Sequence, residues 1–242
     1  MSRLHSLFGR GSGAGSEEEH HWLSVSDLMA GLMMVFLLIS IALMQHALKE
    51  RDRVTQVAEA YQQTQIAIYQ ALISEFGKDL ARWQAEINPD TLALTFQSPE
   101  VLFATGSAQL RSRFESILSD FYPRYLAVLE PFRTSIDEIR IEGHTSSIWN
   151  QNVDEDTAYF LNMQLSQDRT RSVLSYLYDL PETQQNKTWV KKTTAAVGFS
   201  SSHPVLDSLG QESHENSRRV SFRILTNAES QIREILSEAS ST

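Results

Sequence analysis

Between Ser24 and Met44 the chain reads SVSDLMAGLMMVFLLISIALM, and from Leu28 onward it is apolar apart from small Gly31 and the hydroxyl of Ser40. With Trp22 before it and a few residues after, the segment reaches the roughly 20 residues that cross a bilayer, and Trp22 fits an interfacial aromatic position. A secretory signal would need a basic start, a shorter apolar core and a small-residue cleavage site. Here acids precede the core and MQHALKE follows it, so a retained single-pass membrane helix is predicted over residues 22–48. Orientation from charge is slight: Arg3 and Arg10 precede the span, while Lys49, Arg51 and Arg53 follow it. The excess of basic residues would place the carboxyl side in the cytoplasm.

One carboxylate, Asp27, stands at the mouth of this span. A charge in hydrocarbon costs about 2.5–3.5 kcal/mol or more, so it needs a partner or a transport path. The alternative is a cap at the headgroup boundary, where a negative charge suits a helix amino end; Ser24 and Ser26 beside it favour that alternative. The residues alone leave both readings open.

The remainder of the 242 residues allows one compact domain with extras. Absence of cysteine excludes a disulfide framework, thiolate metal sites and cysteine nucleophiles. A formal net charge of -9 is a poor match for nucleic acid, which needs clustered Lys and Arg. Residues 1–21, with GRGSGAGS and EEEHH, read as a flexible tail. Adjacent His20 and His21 do not share a helix face and make a poor metal pair. Over 49–89, Val54, Val57, Tyr61, Ile68, Leu72, Phe76, Leu80 and Trp83 recur at near-helical spacing, with a gap at Thr64 and Gln65 and a stop at Pro89. This spacer suits packing on the next domain or a parallel dimer seam. From residue 90 to 227, the strand-like TLALTF, EIRIEGH, TTAAVGF and RRVSFRIL alternate with helical stretches. Those stretches are Phe114–Phe132, interrupted by Pro123, and LNMQLSQDRTRSVLSYLYDL. That alternation predicts one α/β (α+β) domain with a mixed sheet and packed helices. AESQIREILSEASST, residues 228–242, reads as a short fraying helix.

Met29, Leu32, Met33, Phe36 and Leu37, following Asp27, resemble the membrane helix of MotB-type stator subunits of ion-driven bacterial motors. That resemblance implies that Asp27 carries the translocated ion. A carboxylate in a poorly solvated site can alternate between charged and neutral forms, and each proton crossing the membrane releases about 2.3 kcal/mol per 100 mV.

FATGSAQL (103–110 region), IRIEGHT, NMQLSQDRTRSVLSYL, VGFSSSHP and NSRRVSFRI occur in that order and resemble the OmpA-like peptidoglycan-binding family across nearly the whole domain. The family binds the peptide stem of peptidoglycan, notably its diaminopimelate. Its helix pattern Asn-x-x-Leu-Ser-x-x-Arg falls on Asn162, Leu165, Ser166 and Arg169. An arginine suits a stem carboxylate because its planar fork gives two parallel charge-assisted bonds. Thr145 joins the implied site through Gly143-His144-Thr145. Arg218 and Arg219 resemble the family's paired arginines, one for ligand and one for the fold; Arg218 is assigned to the ligand. The family's usual Gly-His-Thr-Asp supplies an aspartate for the ligand's ammonium, but here Ser146 stands in its place. The longer stretch up to Asn162 offers Asp154, Glu155 or Asp156 as a replacement, or else is a solvated loop.

His144, Ser146 and Asp168 invite a hydrolase reading, but no nucleophile-elbow glycines flank the serine. His203, His214 and Glu215 have metal-compatible side chains in a polar loop that explains them without a metal. No enzyme activity, metal or cofactor is therefore expected. The order of tail, aspartate-bearing span, spacer and OmpA-like domain resembles a stator subunit, and the span is more similar to those of Zorya-type anti-phage defence systems than to flagellar MotB, whose amino tail is usually basic. The resemblance implies two copies inside five copies of a MotA-like multi-span channel subunit, with the carboxyl-terminal domain on peptidoglycan in the periplasm. This overrides the slight charge bias and places residues 1–21 in the cytoplasm. A passive tether between inner membrane and wall, conducting nothing, is the rival from another class.

Overall fold

The computed structural model describes residues 15–97, 102–104, 106–149 and 152–227, with side chains from residue 25 onward. Residues 1–14, the side chains of His20, His21 and Trp22, and the segment 228–242 lie outside the described residues. The chain divides into two units, Met1–Thr55 and Gln56–Thr242.

Helix α1 runs Gly15–Phe76. Its stretch from Leu28 to Met44 is exposed, and by length and composition the helix can cross a membrane. The Ser40 hydroxyl donates to the carbonyl of Phe36 at 2.8 Å, so the polar group within the apolar run is satisfied by its own helix. Asp27 does not begin the helix, which is already formed at Gly15. The helix-capping alternative is thereby overturned, because a cap must flank the first turn to reach its free N–H groups.

The spacer periodicity serves two surroundings. Ile68, Leu72 and Phe76 are completely buried in the domain core, whereas Tyr61 is exposed. The gap at Gln65 has a cause: its side-chain amide donates to the carbonyls of Pro89 at 3.1 Å and Asp90 at 2.6 Å. A helix extending to Pro89 is corrected. After α1, a short α2 (Leu80–Trp83) ends at Gln84 in the left-handed region, φ 52°. The chain then enters β1 (Ala85–Asn88), paired antiparallel with β2 (Ala93–Phe96). Asn88-Pro89-Asp90 is a hairpin turn: the Asn88 side chain accepts from the N–H groups of Asp90 and Thr91, both at 2.9 Å.

The sheet order is β1-β2-β5-β3-β4, with β3 (Ile136–His144), β4 (Thr194–Gly198) and β5 (Arg219–Thr226). All neighbours are antiparallel except β3 and β4. That parallel pair requires a crossover, supplied by α4 (Glu155–Asp179) and α5 (Lys187–Thr193). The domain is therefore the mixed sheet with packed helices that the alternation predicts.

Helix α3 (Ser112–Leu129) continues through Pro123 instead of being interrupted. Its buried stripe of Phe114, Ile117, Leu118, Phe121, Tyr122, Tyr125, Leu126 and Leu129 holds both sides of the proline against the core and outweighs the missing N–H. Phe121 packs on Phe76, Phe96, Tyr125 and Phe222 with ring centroids 4.9–5.4 Å apart. Offset and edge contacts of this kind stabilise beyond the area they bury.

Candidate functional site

The site begins where two glycines meet. Gly143 and Gly198 are register partners at the ends of β3 and β4, and α4 rests on them. A Cβ at Gly143 would lie 2.7 Å from the Ser166 carbonyl oxygen; one at Gly198 would lie 2.5 Å from the Gln167 backbone nitrogen and 2.6 Å from Ser166 Oγ. We expect Gly198→Ala to destabilise the chain by about 1–3 kcal/mol, the usual cost of overpacking, measured by denaturant unfolding of the full chain in detergent. An unchanged midpoint would mean that α4 does not need this close approach.

The loops above the glycines are fixed by α4. The Ser166 hydroxyl accepts from the N–H of Ser200 at 3.1 Å. Ser200 takes φ 52° and is held there by its hydroxyl donating to the carbonyl of Tyr159 at 2.7 Å, while its own carbonyl accepts from the N–H of Thr145 at 2.9 Å. The Asn162 amide donates to the carbonyl of Ser146 at 3.1 Å. Asn162 thus sets the backbone that carries Thr145 and Ser146. One residue further on, the N–H of Ser147 donates to Glu212 Oε1 at 3.0 Å.

Between these loops and the segment around Phe103 lies a cleft of about 170 Å³. Thr145, Asn162, Leu165, Arg169 and Arg218 all line it, so the fold brings together the five residues nominated from the sequence. Arg169 is only 8% exposed. Its Nε donates to the carbonyl of Ser107 at 3.0 Å, and its guanidinium lies 4.9 Å from the centre of the Phe103 ring. One N–H is spent on orientation and one face on an aromatic ring, and among the described residues no carboxylate pairs with it. Burial, with Arg218 nearby, lowers its pKa to about 10, so it remains a cation at neutral pH. The Thr145 hydroxyl is buried without a hydrogen-bond partner among the described residues, leaving one polar atom at the cleft unsatisfied.

Phe103, Gly106, Ser146, Ile148 and Trp149 complete the lining and were not nominated. Phe103 and Gly106 lie inside FATGSAQL; Trp149 has no motif around it and only the chain path places it there. Asp154, Glu155 and Asp156 do not line the cleft. Asp154 is the N-cap of α4, accepting from the N–H of Thr157 at 3.0 Å and from its hydroxyl at 2.7 Å. The two arginines divide their work. Arg218 lines the cleft, while Arg219 donates to the carbonyls of Ser217 and His203 at 3.1 Å each. The hydrolase arrangement does not form: His144 is stacked on Phe199 and its Nε2 lies 3.6 Å from Glu142, on its own strand, and no hydrogen bond among the described residues joins it to Ser146 or Asp168. Burial holds the His144 imidazole below its ordinary pKa.

Residues 102–218 match the OmpA family. The Zorya protein ZorB of Escherichia coli strain Crooks is 52% identical over 222 residues, covering 92% of this chain and 94% of its own length. This chain belongs to the ZorB family. Among solved structures it is similar to a MotB-like protein from Desulfovibrio vulgaris (21% identity, 71% of this chain and 94% of that one, TM-score 0.48). It is also similar to the cell wall anchor of the T6SS from Pseudomonas aeruginosa (20% identity, 64% and 96%, TM-score 0.43). In this ZorB-family chain the end of α1 and the β1–β2 hairpin precede the segment matched to the OmpA family, yet Phe76, Trp83 and Phe96 share one core with Phe121 and Phe222.

Proposed function

We propose that this chain is the wall-anchoring stator subunit of a proton-driven inner-membrane motor serving anti-phage defence, with Asp27 as the ion-carrying carboxylate. One observation carries the reading: a helix with an exposed apolar stretch and Asp27 at its start belongs to the same chain as the Arg169 cleft. ZorB-family membership supports the defence role. The amino-terminal tail lies in the cytoplasm, residues 22–48 cross the inner membrane, the part of α1 that follows leads into the domain whose core takes in Ile68, Leu72 and Phe76, and that domain holds peptidoglycan in the periplasm. The protein transmits force and ions and is not an enzyme. Ion flux through membranes holding the chain with its partner tests the motor, and dependence of that flux on Asp27 separates it from a passive tether.

The chemistry assigns each part a task. A proton reaching the Asp27 carboxylate through a polar route removes its charge, and release on the other side restores it. A charge in hydrocarbon is costly, so a multi-span MotA-like partner must surround the span and shield it. Five such copies around two of this chain would convert passage into rotation of the ring. A rotating ring needs a fixed reference, and Arg169 supplies it by pairing with a carboxylate of the stem peptide.

Two copies place their spans side by side. Single cysteines introduced over residues 45–60 of the assembled complex should cross-link between copies with a period of about 3.6 residues. Electrophoresis after mild oxidation reads this out. Complete absence of cross-linked product would separate the two helices.

A further inference from the structure

We infer that the cleft takes a carboxylate borne on an uncharged, partly apolar group, such as the carboxyl end of an acylated amino acid, and selects against the zwitterionic head of a free amino acid. The inference rests on the wall-binding reading and names the part of the stem peptide that is read.

Four observations carry it. Arg169 and Arg218 both line the cleft, and the bonds of Arg169 to Ser107 and Phe103 fix the orientation of its guanidinium. No Asp or Glu lines the cleft among the described residues. Two acids of the flanking loops are engaged elsewhere: Asp154 caps α4, and Glu212 accepts from Ser147 and lies 3.3 Å from His214. Finally, Phe103, Leu165, Ile148 and Trp149 form apolar wall.

An anion satisfies this setting; an ammonium does not. A carboxylate gains charge-assisted bonds from the guanidinium, and the buried Thr145 hydroxyl, which has no partner, can donate to it. An acyl group or methyl packs on the apolar wall. An α-ammonium in the same cleft would find no carboxylate among the described lining residues and would lie near two guanidinium groups, where like charges oppose one another. The lowered pKa of Arg169, due to burial and to Arg218, agrees with a cleft already rich in positive charge.

The test uses the full chain in detergent micelles. Calorimetric titration with N-acetyl-D-alanine, its amide and meso-diaminopimelate is run beside sedimentation with purified sacculi. N-acetyl-D-alanine should bind at least about tenfold more tightly than either of the others, a difference of about 1.4 kcal/mol. Ser146→Asp, which adds a carboxylate to the lining, should reverse the order in favour of diaminopimelate; Ser146→Asn, of similar size but uncharged, should leave it unchanged. Equal or tighter binding of diaminopimelate by the unaltered chain overturns the inference, as does equal binding of the amide. Sedimentation with sacculi that none of the three probes competes away also overturns it. Loss of sedimentation with the acyl-carboxylate preference intact would remove the wall as target and keep the ligand chemistry.

Discussion

Asp27→Asn should accumulate normally and assemble with its multi-span partner, yet reduce ion flow and phage protection to background. Asparagine nearly reproduces the shape of aspartate and keeps its hydrogen-bonding capacity, but it cannot take up and release a proton near neutral pH. The substitution therefore removes the exchangeable charge while leaving the helix in place. A cap would tolerate it, because Asn caps a helix about as well as Asp. With α1 already formed at Gly15, Asp27 has no cap to provide, so tolerance would have to come from a residue with no transport task. The measurements are proton flux into vesicles carrying the complex and survival of phage-challenged cells. Full protection by a well-assembled Asp27→Asn chain would falsify the transport role and leave a passive tether.

Arg169→Ala should weaken sedimentation of the full chain with purified peptidoglycan by about thirtyfold or more. Truncating one member of a buried charge pair costs about 2–5 kcal/mol, and every 1.4 kcal/mol is roughly tenfold. Cooperative unfolding should persist, since the substitution removes a desolvated charge along with the bond to Ser107 and the contact with Phe103. Arg169→Lys discriminates further. It keeps the charge but loses the planar fork, so it should bind at an intermediate level. Wild-type sedimentation by Arg169→Ala would exclude this residue from the wall contact.

The fold was legible where period and burial agree. The alternation of IRIEGH became β3 because one face of that strand, with Ile139 and Ile141, is fully buried. The stretch before residue 90 departs from its helical spacing for an equally physical reason. Leu72, Phe76, Leu80 and Trp83 keep helical spacing, and nothing local announces that Gln84 turns left-handed or that AEIN will pair with ALTF. Pro89 reads as a helix stop, yet Asn88 beside it makes a hairpin turn. The cleft divides in the same way. Arg169 and Asn162 share a helix and the motif that resembles the OmpA-like family, and that resemblance brought them forward. Trp149 and Ile148 reach the cleft through a loop whose course depends on Asn162, sixteen residues from the carbonyl it holds, and on Glu212, 65 residues from Ser147. Nominations of that kind need the folded chain.

The end of α1 carries a consequence for the order in which the protein forms. Arg124 of α3 donates to the Glu75 carboxylate at 2.6 Å, to the Glu75 carbonyl at 3.0 Å and to Asp79 at 3.0 Å, and its guanidinium lies 5.0 Å from the centre of the Phe76 ring. The last carbonyls of a helix lack partners within it, and here one of them is satisfied by a side chain 49 residues later in the chain. Local bonds already close that turn, the N–H of Gly77 donating to the carbonyl of Ile73 at 2.8 Å and that of Asp79 to Phe76 at 2.8 Å, but during synthesis the Glu75 carbonyl must wait for α3 before Arg124 reaches it. The turns of α1 can form from local contacts, whereas its anchoring by Arg124 comes only with long-range docking, which is the slower kind of event. A ribosome-bound chain stopped short of Arg124 therefore carries α1 without the tertiary clamp on its last turn.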